Sequence, residues 1–173
     1  ATLGFQKGNL VILAARPSVG KSALSLAFAL NAAKTGKSVA FFSLEMPANQ
    51  LVERMLSTVG HVPMEMIRKM DFNNGRAKNE MIKFEDATRK LAKYNIYIDD
   101  TPGARLIDIQ AKARKLKAEK EDLCLIIIDY IGIVTLGNSK ITDRQQIVAE
   151  ISRGIKSLAR ELGKDNIRVN AVA

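Results

Sequence analysis

A lysine, a serine hydroxyl and a tight polar loop stand together in Arg16-Pro17-Ser18-Val19-Gly20-Lys21-Ser22. An apolar run, residues 10–15, leads into this loop, and a long apolar segment of helical character, residues 23–33, follows it. Strand, loop closed by Gly-Lys-Ser, then helix is the context a phosphate-binding P-loop requires. Successive backbone N–H groups curl around an anion there. The helix behind them adds unpaired N–H groups and the positive end of its dipole. In that chemistry Lys21 sits as a point charge on the β/γ-phosphates, and the Ser22 hydroxyl ligates Mg²⁺. The motif usually opens with Gly, and Ala15 stands in that place.

Acidic residues recur where apolar runs end: Glu45, Asp99 with Asp100, and Asp129. Asp129 follows Leu125 to Ile128, the form of a Walker B strand whose carboxylate holds Mg²⁺ through water. Its alternative role is to cap a helix or loop. Glu45 follows residues 38–44 and is placed to orient and deprotonate an attacking water. Its alternative is to favour the dipole of the helix that follows. Asp99 and Asp100 read as a turn that ends a strand. His61, the single histidine, has no Cys or His nearby in sequence and reads as a surface residue rather than a metal ligand.

The elements that must hold these groups alternate along the chain. Strands are predicted over 10–15, 38–44, 95–98, 123–128 and 167–173. Helices are predicted over 23–33, 48–59, 64–69, 76–94, 106–119 and 143–162, the last capped by Thr142 or Asp143. Gly36 suits a helix C-cap, and Asn73-Asn74-Gly75 a turn. The run 123–128 is nearly all apolar, as a strand buried on both faces of a parallel sheet would be. The class is therefore α/β, with a parallel five-stranded sheet in a three-layer αβα sandwich and right-handed crossovers. The 173 residues suffice for a single domain. In an open parallel sheet ligands bind outside the carboxyl ends of the strands, the edge where the loop and the three acidic positions all fall.

A formal charge of +9 favours an anionic partner, nucleotide or nucleic acid. Lys112, Arg114, Lys115 and Lys117 share one helix and read as a solvated face, with a nucleic-acid patch as the alternative. The single cysteine, Cys124, lies in a buried run, so a structural thiol in a reducing cytoplasm is expected. Methionines 64, 66 and 70 read as packing or interface residues. No apolar stretch approaches the roughly 18 residues that span a bilayer, so no membrane partner is expected.

The segments ARPSVGKS, FFSLEM, IDDTPG, LIIIDYIGIV and RQQIVAEISRGIKSLAREL occur in this order. Together they resemble the C-terminal, RecA-like motor domain of replicative DNA helicases of the DnaB family, over about residues 1–162. The resemblance implies a P-loop ATPase core with ATP and Mg²⁺ as ligands. It matches Lys21 and Ser22 to the family's Walker A lysine and hydroxyl, Glu45 to its catalytic glutamate and Asp129 to its Walker B aspartate. It places a DNA-facing loop around residues 137–140. The family forms hexameric rings on single-stranded DNA.

Where the family's next strand ends in a Ser-Gln that senses the γ-phosphate, this sequence stops at Ala173, and the arginine finger lies further on in the family. The expectation is thus a truncated core, monomeric, that binds Mg-ATP with weak or no hydrolysis and no unwinding. Residues 160–173, RELGKDNIRVNAVA, resemble a segment of the Rossmann-fold short-chain dehydrogenases, without a glycine-rich dinucleotide fingerprint or a Tyr-x-x-x-Lys pair. The alternative reading is an engineered P-loop/Rossmann chimera, an inactive scaffold with a grafted last strand whose Val169, Ala171 and Val172 fill the slot between the Walker A and Walker B strands.

Overall fold

The computed structural model describes residues 6–16, 18–70, 77–137 and 143–173, and the side chain of Ala77 is also left aside. Pro17, the Asn73-Asn74-Gly75 turn, Arg76, Thr142 and most of the 137–140 loop lie outside the described residues. The backbone divides into two compact units, residues 1–45 with 95–173, and residues 46–94.

The first unit holds five strands: β1 (Leu10–Leu13), β2 (Ser38–Ser43), β3 (Ile96–Asp99), β4 (Leu123–Asp129) and β5 (Arg168–Val172). All pair in parallel, in the order β1-β5-β4-β2-β3. The last strand in sequence thus lies between β1 and β4, the slot expected for it. Helix α1 (Lys21–Lys34) packs on one face of the sheet, and α5 (Leu106–Glu119) and α6 (Arg144–Gly163) pack together on the strands as well. Position explains burial. All six residues of the interior strand β2 are buried, whereas the outer strands β1 and β3 are half-covered.

Strand alternation divides the core. Ala40, Phe42, Ile126, Ile128, Val169 and Ala171 join Ile109, Ala113, Ile151, Ile155 and Leu158 in one apolar cluster. The alternate residues Val39, Phe41, Leu125 and Ile127 are buried too, and α1 meets β4 and β2 with Leu26, Ala29, Leu30 and Ala33 buried at helical spacing. Gly163 lets the end of α6 touch the backbone of Gly8, because a Cβ there would strike Gly8 Cα and N.

In the second unit, α2 (Ala48–Gly60), α3 (Met64–Lys69) and α4 (Ala77–Leu91) follow one another, and α2 meets both others. Gly60 permits a close approach to α4: a Cβ on it would lie 2.9 Å from Ala87 Cβ and 3.1 Å from the Lys83 oxygen. His61 takes the left-handed conformation (φ 52°) that ends α2, and it is exposed. Met64 and Met66 are half-buried, while Met70 is 61% exposed. Among the described residues no His, Cys, Asp and Glu cluster that could hold a metal is found, and no helix is long and apolar enough to cross a membrane.

Candidate functional site

Because every strand runs the same way, their carboxyl ends meet at one edge. The registers Leu13↔Val172, Ala171↔Ile128 and Ser43↔Asp129 set Leu13, Val172, Asp129 and Ser43 almost in a row across the sheet. Asp99 pairs with Phe42, one residue further back.

The phosphate-loop candidates leave the first position in that row. Ser18 and Gly20 both adopt left-handed backbone (φ 65° and 97°), and Gly20 is the residue at which α1 begins. The helix starts at Lys21, two residues before its predicted start, and no side chain caps it. Its opening N–H groups therefore lack an acceptor from the helix or a cap, which is the condition for receiving an anion. Arg16, Ser18, Val19 and Gly20 are exposed, with Val19 at 70%, while Lys21 and Ser22 are half-buried. The Lys21 Nζ donates to the main-chain oxygen of Ala173 at 2.5 Å, and the Ala173 N–H donates to the Leu13 oxygen at 3.0 Å. The end of β5 thus lies beside the lysine. Ser25, one turn on, donates its hydroxyl to the Ser22 carbonyl at 2.9 Å, which ties down the first turn of α1.

Asp129 is the last residue of β4 and is 2% exposed. Its carbonyl accepts from the Leu44 N–H at 2.7 Å, which holds the end of β2 against the end of β4. Glu45 follows directly and is exposed. The structure thus brings Lys21, Ser22, Glu45 and Asp129 to one sheet edge. Asp99 takes the structural role: its carboxylate accepts from the Thr101 N–H (3.0 Å), the Thr101 hydroxyl (2.6 Å) and Lys112 (2.5 Å). Burial pushes its carboxyl up, but these hydrogen bonds and the lysine outweigh that and hold it below the ordinary carboxylate value.

The basic face of α5 is matched by partners. Lys112 meets Asp99; Arg114 makes a two-pronged pair with Glu161 (2.8 and 2.9 Å); Lys115 lies 3.9 Å from Glu119; Lys117 donates to the Glu121 carbonyl. Arg114 holds the Glu161 carboxyl below its ordinary value. The face is therefore a solvated, internally paired surface. Cys124 is half-buried, and burial pushes its thiol up, as suits a structural role. Asn170, buried at 6% in the middle of β5, is a polar residue that the sequence reading passed over; an Asn between Val169 and Ala171 in an apolar strand was its signal.

A five-stranded parallel sheet, with a loop at its carboxyl edge that runs into an uncapped helix and an aspartate that ends an interior strand, is the α/β fold of RecA-type ATPase domains. The chain belongs to the family of the DnaB-like helicase C-terminal domain, whose model matches residues 1–171. It is 47% identical over 162 residues to the replicative DNA helicase DnaC of Bacillus subtilis (strain 168), and 46% identical over 162 residues to the replicative DNA helicase DnaB of Geobacillus stearothermophilus. Each match covers 93% of this chain and 35% of the relative, so the chain spans about a third of their length. Among solved structures, a DnaB-like replicative helicase described with its interactions with primase matches 97% of this chain and 39% of its own (TM-score 0.85, 30% identity). A second solved structure, described as an ATPase domain, matches 96% of this chain and 57% of its own (TM-score 0.85, 29% identity). The family match runs to residue 171 and so takes in all but the last residue of β5.

Proposed function

We propose that this chain is the nucleotide-binding core of a replicative-helicase motor, and that residues 1–173 act as one P-loop domain binding Mg-ATP at the carboxyl edge of the sheet. The observation that carries the reading is the uncapped start of α1 at Lys21, placed on the same edge as the buried Asp129. The fit to a polyphosphate rests on chemistry present in the chain: unopposed helix N–H groups, a left-handed Gly20 and a lysine.

In this reading the backbone of 16–22, with Lys21, cradles the phosphates. The lysine exchanges the Ala173 oxygen for a phosphate oxygen. The Ser22 hydroxyl and Asp129 hold Mg²⁺, which neutralises charge on the β- and γ-phosphate oxygens. Glu45, exposed beyond β2, orients a water and takes its proton. For these 173 residues alone the proposal is nucleotide binding with weak or no hydrolysis and no unwinding, in a monomer. For a protein of the relatives' full length the proposal is unwinding of DNA by a cytoplasmic hexamer. The alternative is a scaffold with a grafted last strand and no enzymatic activity, which a phosphate site that fails to bind nucleotide would favour.

Calorimetry with Mg-ATP on the parent and on Lys21→Ala tests the reading. Binding by the parent that is strongly weakened in the variant supports it. No binding by a folded parent overturns it and leaves the scaffold alternative. Hydrolysis with and without single-stranded DNA, on the parent and on Glu45→Gln, then measures how much turnover this span retains and whether it depends on Glu45.

A further inference from the structure

Asn170 sits at the centre of β5, between Val11 of β1 and Ile127 of β4, and is 6% exposed. Neither its Oδ1 nor its Nδ2 has a hydrogen-bond partner among the described residues. A buried amide left with both ends unmet is unfavourable, and apolar residues surround it in the strand. Beside it lies a cavity of about 120 Å³, walled by Val11, Leu13, Ser25, Phe28 and Ile127 as well as Asn170. The Ser25 hydroxyl hydrogen is already committed to the Ser22 carbonyl, so the amide is the donor this wall has to offer. Ile12 also lines the cavity and is 46% exposed on an outer strand, which puts the space one strand from solvent.

Size and chemistry together select an occupant. Water takes about 30 Å³ each, and an aliphatic cavity of about 150 Å³ is known to take benzene; at about 120 Å³ this space is smaller, so a single small ring is the largest occupant it suits. A water could meet the amide and the Ser25 oxygen, but it would leave the remaining volume, walled by Val11, Leu13, Phe28 and Ile127, unfilled. A ring carrying a cis-amide meets both demands. Its carbonyl accepts from Asn170 Nδ2, its N–H donates to Oδ1, and its carbon skeleton lies against the apolar side chains.

We propose that this cavity is a binding site for a compact planar lactam, recognised by the paired donor and acceptor of Asn170. The site is independent of the nucleotide reading, although Leu13 and Ser25 flank the phosphate loop on its two sides.

The probe is 2-pyridone, titrated into the ¹⁵N-labelled chain, with benzene as the apolar control. The expected result is a saturable shift of the Asn170 side-chain NH₂ resonances, with nuclear Overhauser contacts from the ring protons to the methyls of Val11 and Leu13. Asn170→Leu keeps the branched skeleton and loses the amide; it should bind 2-pyridone about tenfold or more weakly while still taking up benzene. Unmoved Asn170 resonances at millimolar 2-pyridone in the folded parent overturn the proposal. So does equal 2-pyridone binding by Asn170→Leu. The Overhauser contacts are read on the parent alone, so their absence overturns the proposal even if the variant fails to fold.

Discussion

Replacing Asn170 by leucine should make the ligand-free protein more stable, against the usual direction for a change in a buried strand. The two side chains share a branched skeleton, and the cavity beside position 170 gives the larger methyl groups room. An unsatisfied buried polar group costs about 1–3 kcal/mol, and Asn170 has two such atoms. Taking the low end for each, because one small amide carries both, gives about 2 kcal/mol. Burying aliphatic surface and a better strand former adds about 1 kcal/mol more. For a chain of this length each kcal/mol moves the midpoint by about 2–4 °C, so the expected rise is about 6–12 °C. Thermal unfolding by circular dichroism, with urea titration to check that the slope is unchanged, measures it. A Tm equal to or below the parent's, with an unchanged slope, would refute the reasoning. It would mean that the amide is already satisfied in solution, and the lactam site would fall with it.

Gly163→Ala should lose about 1–3 kcal/mol, since its Cβ meets the backbone of Gly8, which has no flexible end to move aside. Gly103→Ala is the control: it has nothing within 4 Å and pays only for φ +64°, about 1 kcal/mol, and urea midpoints compare the two. The depressed Asp99 carboxyl contributes stability in full above the ordinary carboxylate range, and that contribution is lost as pH falls through its lowered value. Asp99→Asn should therefore be less stable than the parent at pH 7 by about 1 kcal/mol or less, and the gap should close in acid, as melting at stepped pH will show. Cys124 should react more slowly with a thiol reagent at neutral pH than a free thiol does, and speed up when urea unfolds the chain; fast reaction in the folded state would contradict its burial.

Local signals were read well where local forces decide. Helix α5 (Leu106–Glu119) has the bounds its apolar spacing predicts, and helix α3 (Met64–Lys69) occupies the short span expected for it. Asp143, one of the two caps predicted for α6, accepts from the Gln145 N–H at 2.9 Å. Errors at element ends trace to partners distant in sequence. The first strand stops at Leu13, not residue 15, because it pairs with β5 and the register ends at Val172. Strand β4 runs on to Asp129 because Ser43 pairs with it. The fourth helix ends at Leu91, three residues early, where Lys93 N–H turns back to the Lys90 oxygen and Tyr94 N–H to the Leu91 oxygen. The division at residues 45 and 95 has no counterpart in composition.

The same distinction separates what could be read of the site from what could not. Lys21 and Ser22 are proposed site residues whose signal is local, a contiguous loop and helix. Glu45 and Asp129 lie 24 and 108 residues beyond Lys21 in sequence, yet a parallel sheet must bring the carboxyl ends of its strands to one edge, so the fold class alone places both near the loop. No such rule reaches the counter-charges on α5. Glu161 comes from the next helix and Asp99 from the strand before, and a run of lysines looks unpaired until those elements are packed. Asn170 fails for a further reason. Alternation tells that Val169 and Ala171 share one face and Asn170 takes the other, but not that the opposite wall, Ser25 and Phe28 of α1, leaves a space there. That space is set by how closely a helix settles on a sheet, and no pattern within either element records it.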